Sequence, residues 1–132
     1  MNYLLDTHTF LWTIAKSKNL SGVASKAIKT PDNEIFVSAV SLWEIAIKSR
    51  IGKLDLGGIE PEELLNSAEK MEFQLIGLSP EESSTYSNLK EPTHKDPFDR
   101  MLVWQSIQRK MILISKDQEF SKFIEYGLKL LW

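Results

Sequence analysis

Asp6, Glu44, Asp99 and Asp117 are far apart in the chain, yet each lies beside or within an apolar run. Carboxylates completed by water are the ligands that hard divalent cations such as Mg²⁺ and Mn²⁺ prefer. A cation held this way lowers the pKa of a bound water and offsets charge developing on a phosphodiester. Four acids at one edge would repel one another strongly, and such a cation resolves that repulsion.

Each acid also has a plainer reading. Asp6 ends the run "NYLLD" and suits an N-cap, with Thr7 sharing that work; capping and ligation do not exclude each other. Asp96 stands just before Pro97 in "HKDPFDRMLVW" and reads as the N-cap of the next helix. Asp99 then falls in the first turn, where the helix dipole favours an acid by under about 1 kcal/mol. Asp117, two residues beyond "MILIS", is an N-cap or an acid displayed at a strand end. Glu44 is the hardest to explain away. It is the only charge in "AVSLWEIAI". Apolar residues surround it on the helical wheel, so a largely buried helix is expected. A buried carboxylate needs a partner or a metal. An exposed pair with Lys48 contributes only about 0.3–0.5 kcal/mol, too little to account for it.

The other polar residues carry less. His8 and His94 make no zinc pattern and read as a helix-start residue and a loop residue. Ser115 is placed to hydrogen-bond a carboxylate and orient it. Lys95, Arg100, Arg109 and Lys110, with Lys48, Arg50 and Lys53, are candidates for phosphate contacts, though such charges are more often solvated. Trp12, Trp43, Trp104 and Trp132 fall in apolar runs and read as core or interface. No glycine-rich phosphate loop is present; "DLGG" lacks the lysine and the spacing.

Elements of two kinds must position these residues. Strands are expected at 2–6, 34–38, 73–78, 111–115 and 128–132, where short apolar runs occur. Helices are expected at 9–17, 21–30, 39–52, 61–71, 79–89, 97–110 and 118–127. Ser21 caps the second, Gly52 ends the third, and Ser79, Pro80 and Glu82 form a capping box on the fifth. Alternating strands and helices imply an α/β fold, with a central parallel sheet of about five strands flanked by helices in three layers. Ligands in such folds sit at the carboxyl ends of the strands.

The 132 residues fit one domain, 1–132, long enough to bury a core without staples. The absence of cysteine excludes disulfides, thiolate metal sites and a cysteine nucleophile, and suits a reducing cytoplasm. No run is long enough to cross a bilayer, and "MNYLLDTHTF" has no basic segment ahead of an apolar core, so a cytoplasmic protein without a membrane is expected. A net charge of −2 argues mildly against a general nucleic-acid binder, weakly so if carboxylates hold cations.

Taken together, these segments resemble the PIN-domain ribonucleases, specifically the VapC-like toxins of type II toxin–antitoxin pairs. "YLLDTHTFLW" looks like the opening strand with a first acid at Asp6. "VSAVSLWEIAIKSRIGKL" looks like the second motif, with Glu44. "HKDPFDRMLVWQS" looks like the third, with Asp99, and "MILISKDQEF" the fourth, with Asp117. "YGLKLLW" looks like the closing strand. The resemblance spans essentially the whole chain and keeps all four acids. It implies an endoribonuclease dependent on Mg²⁺ or Mn²⁺, with Asp6, Glu44, Asp99 and Asp117 as metal ligands and catalytic residues. A metal-activated water would attack phosphorus, leaving a 3′-hydroxyl and a 5′-phosphate. It also implies a homodimer and a VapB-like antitoxin whose tail covers the acidic site and which alone contacts operator DNA.

Two further readings compete. One is a catalytically weak module that sequesters an antitoxin and co-represses its operon. The other is a phosphotransfer fold. A haloacid-dehalogenase-like phosphatase would need an aspartate at position 8, which is His8, and a receiver domain would need an acid ending a middle strand, where neither "EIFVS" nor "FQLIGL" supplies one.

Overall fold

The computed structural model describes residues 1–132. Its strands are β1 (Asn2–Leu5), β2 (Glu34–Ser38), β3 (Gln74–Ile76), β4 (Ile112–Ile114) and β5 (Lys129–Leu131). Its α-helices are α1 (Thr7–Ile14), α2 (Gly22–Lys29), α3 (Ala39–Arg50), α4 (Glu63–Lys70), α5 (Pro80–Thr85) and α6 (Pro97–Gln108). The strands form one sheet in the order β3-β2-β1-β4-β5, every pair parallel. The expected α/β fold with about five parallel strands is the one that forms.

Helices cover both faces of the sheet, which is why the strands read as unbroken apolar runs. Tyr3, Leu5, Ile35, Val37 and Ile114 point to one face and pack with Phe10, Ala24, Ala27, Leu64 and Ala68 of α1, α2 and α4. Leu4, Phe36 and Leu113 point to the other and meet Leu102, Val103 and Trp104 of α6. The alternation follows from the two-residue period of a strand. α3 feeds both sides, with Val40 in one cluster and Ile45 in the other. It therefore lies across the carboxyl edge of the sheet.

Several expected boundaries move. α1 starts two residues earlier than its apolar spacing implied, because Asp6 caps it. α4 starts at Glu63, after a turn. Segment 118–127 is a 3₁₀ helix, Gln118–Tyr126, ended by Gly127 at φ 108°. α3 is not apolar all round in the folded protein. Trp43 is 60% exposed and Ala46 is exposed, so the expectation of a largely buried helix is corrected. Trp43 lies at the surface, and only Trp104 of the four tryptophans is buried.

Candidate functional site

Strand order reverses beside β1: β2 and β3 lie to one side, β4 and β5 to the other. A crevice opens at the carboxyl edge of such a switch point. Here it is a cleft of about 430 Å³, lined by Asp6, Glu44, Asp96, Asp99 and Asp117, with Lys48 and Lys116 the only Lys or Arg side chains in the lining. All four acids singled out in the sequence reach it, joined by Asp96.

Asp6 follows β1 and caps α1, accepting from the Thr9 N–H at 2.8 Å. Its other oxygen accepts from the Ser115 hydroxyl, carried by the end of β4. Asp6 is 7% exposed. Burial pushes its pKa up, against hydrogen bonds from Ser115 and Thr9 that pull it down.

Glu44 is 3% exposed, with its two oxygens committed differently. Oε1 accepts from the Thr7 hydroxyl at 2.6 Å, and Thr7 Oγ1 also lies 3.1 Å from the Ser41 hydroxyl. Oε2 is paired with Lys48 Nζ one turn along α3. The plain pairing weighed in the sequence is thus made, but around a buried carboxylate rather than an exposed one. The hydrogen bond to Glu44 is the main influence raising the pKa of Lys48.

Asp96 caps α6, accepting from the Phe98 and Asp99 N–H groups at 2.9 and 3.1 Å. It is both cap and cleft wall. Asp99 in the next turn has Oδ2 3.0 Å from His94 Nε2. Burial pushes the Asp99 pKa up to about 6; the His94 contact lowers it, and Asp96 and Glu44 add repulsion. Asp117 is exposed and caps the 3₁₀ segment, accepting from the Glu119 N–H at 2.9 Å.

His94 is the residue that sequence reasoning passed over. It does lie in a loop, but its ring stacks on Phe120 at 5.7 Å and backs Asp99. The loop is built to hold it. Glu91 accepts from the Thr93 and His94 N–H groups, and Arg100 donates to the carbonyls of Leu89, Glu91 and His94. Arg100 is therefore spent on the loop, and Arg109 on Glu82 and the Gly77 carbonyl. Neither the phosphate contact for which they were candidates nor the solvated reading holds for these two arginines. A lysine the sequence reading did not single out, Lys116, lies at the cleft instead, 5.8 Å from the centre of the Trp12 ring.

Five carboxylates and no thiol form a hard donor set, the chemistry that suits Mg²⁺ or Mn²⁺. As the side chains stand, no three acids or histidines gather tightly enough to grip an ion. Thr7, Lys48, His94, Ser115 and backbone N–H groups engage one or both oxygens of each acid. The donor types fit a divalent cation, and Asp96, Asp99 and Asp117 each keep one oxygen without a hydrogen bond.

Fold and cleft together define a parallel-sheet α/β protein with an acidic site at its topological switch point. The model of the PIN domain matches residues 3–125, and the chain belongs to the PIN domain family. Solved structures agree on the fold. A chain of VapBC2 from Rickettsia felis, bound to a DNA fragment from its promoter, is similar with a TM-score of 0.70 at 16% identity, covering 99% of this chain and 98% of that one. DNA-bound VapBC from Salmonella typhimurium gives 0.67 at 14% identity, covering 99% and 97%. VapBC-1 from nontypeable Haemophilus influenzae gives 0.67 at 16%, again covering 99% and 97%. No curated protein matches the sequence.

Proposed function

We propose that this chain is a VapC-type toxin: a divalent-metal-dependent endoribonuclease working as one domain, residues 1–132, in the cytoplasm. The observation that carries the reading is the gathering of Asp6, Glu44, Asp99 and Asp117 in one cleft at the switch point of a PIN fold. PIN domains are in general nucleases, which supports the reaction class.

In this reading Asp6, Glu44, Asp99 and Asp117 hold Mg²⁺ or Mn²⁺. The cation supplies an activated water and offsets charge on the phosphodiester. Ser115 and the Thr9 N–H fix the Asp6 carboxylate, and Thr7 fixes one oxygen of Glu44 while leaving the other turned to the cleft. Lys116 and Lys48 at the cleft are the nearest cations for a phosphate backbone.

A VapB-like antitoxin is the proposed partner, with operator DNA contacted only through it. An apolar groove lined by Leu11, Ile14, Leu54, Leu56 and Ile59 adjoins the acidic cleft, sharing His8 and Trp12 with it. A segment with apolar anchors and one basic residue is complementary to that sequence of surfaces. A second copy of the chain is the proposed occupant of the exposed face around Trp43, Leu78, Phe98 and Met101.

The alternative, a weakly catalytic module that sequesters an antitoxin and co-represses its operon, draws on the carboxylates being already paired within the protein. One experiment separates them. Purified antitoxin-free chain is incubated with pooled transfer and ribosomal RNA in Mg²⁺, in Mn²⁺ and in EDTA, with Asp99→Asn alongside. Discrete metal-dependent fragments, absent from the variant, are expected. Identical patterns from both proteins, or no fragments with any metal, would favour the binding module.

A further inference from the structure

Lys48 is the one cleft lysine paired with a carboxylate. It is one of the two Lys or Arg side chains lining the cleft, its side chain is 36% exposed, and Glu44 is its sole hydrogen-bonding partner. Glu44 is anchored beside it. The Thr7 hydroxyl, itself in contact with Ser41, holds Oε1, so Oε2 is the oxygen left for a cation. That oxygen is the one Lys48 occupies. Asp96 and Asp99 bear on the same ammonium. A lysine ammonium is a compact charge on a flexible four-carbon stem, and the exposed stem leaves it room to swing aside.

We infer that Lys48 is a built-in rival of the divalent cation. It neutralises Glu44 in the metal-free chain and must leave Oε2 before a metal can bind there, so it sets the metal concentration at which the cleft fills. The inference rests on reading the cleft as a metal site. It follows from two features of charge. Lys48 and the metal need the same oxygen, and a positive group a few ångströms from a divalent ion repels it even at the moderate effective dielectric of a protein surface. A displaced Lys48 also has a place to go. It already borders a second depression, lined also by Glu44, Lys53, His8 and Leu11, into which the ammonium can turn once Oε2 is taken.

Mn²⁺ binding to the full chain without RNA tests this, read by calorimetry and by the loss of the free Mn²⁺ paramagnetic resonance signal. Wild type, Lys48→Met, Lys48→Arg and Glu44→Gln are compared, and melting temperatures are taken in EDTA and in Mn²⁺. Methionine keeps the stem and removes the charge, so Lys48→Met should bind Mn²⁺ about tenfold tighter. It should melt lower than wild type in EDTA and gain more on adding Mn²⁺. Lys48→Arg should bind Mn²⁺ as wild type does, and Glu44→Gln should bind it least. Mn²⁺ bound equally or more weakly by Lys48→Met, with Glu44→Gln impaired, would overturn the rivalry and leave the metal site standing. No Mn²⁺ binding by wild type or Lys48→Met would overturn both.

Discussion

At the scale of single residues, Asp99 is the most informative side chain. Its pKa is pushed up to about 6 in the fold from an ordinary value of 3.8, chiefly by burial. Below pH 4 it is protonated folded or unfolded and contributes no difference. Between pH 4 and 6 the folded chain keeps a proton that the unfolded chain releases, so rising pH destabilises the fold through this group. In EDTA, Asp99→Asn should therefore be more stable than wild type at pH 7.5. The gain should be about 1–2 kcal/mol, reduced from the full linkage value because solvent reaches part of the carboxylate. Urea melts at pH 3.5 and 7.5 check this, and a gain that persists at the lower pH would refute it. Glu44 and Asp99 were legible in the sequence because each is an acid among apolar neighbours, a placement with few explanations. His94 was not, because its role depends on a loop conformation set by Glu91 and Arg100, and "EPTHKD" carries no periodicity from which to read it.

Among elements, the firmest tie joins α5, α6 and β2. Arg109 at the end of α6 donates to both oxygens of Glu82, whose capping box with Ser79 starts α5. Gln105 bridges the same carboxylate to the Ser38 hydroxyl at the end of β2. Burial alone would raise the Glu82 pKa, but hydrogen bonds from Arg109, the Ser79 N–H and Gln105 outweigh it and hold the group at about 2. The sign is opposite to that of Asp99. This network stabilises the fold fully above pH 4.5 and is lost as pH falls toward 2. Arg109→Met should flatten the acid limb of the stability curve in that window, as followed by circular dichroism melts. An unchanged limb would remove Glu82 from the account. The capping box was legible because its spacing is local. Its partner 27 residues on was not. The 3₁₀ segment did leave a trace: Phe120, Phe123 and Tyr126 recur every three residues, the period of that helix, and the two phenylalanines are buried.

For the whole molecule, the parallel sheet was legible because a strand covered on both faces has to be apolar throughout. The strand order was not, since it depends on which edges meet. Nor was the exposure of Trp43, because an apolar stretch reads alike whether it faces a core or a second subunit. Trp43, with its edge against Phe98 at 5.3 Å, stands on the face assigned to the second copy. Trp43→Glu should shift the chain from dimer to monomer in sedimentation without lowering its melting temperature by more than a few degrees. A wild type that sediments as a monomer would end that assignment.

The switch-point arrangement also has a consequence in time. β1 pairs with β4, and Asp6 is held by Ser115, 109 residues further along the chain. A ribosome delivers Asp6 well before Ser115. Between the two, the nascent chain carries an unfinished site and an open strand edge. The acidic cleft is complete only once Ser115 and Asp117 have emerged, so under the proposed nuclease reading the chain gains competence late, beside the ribosome that made it.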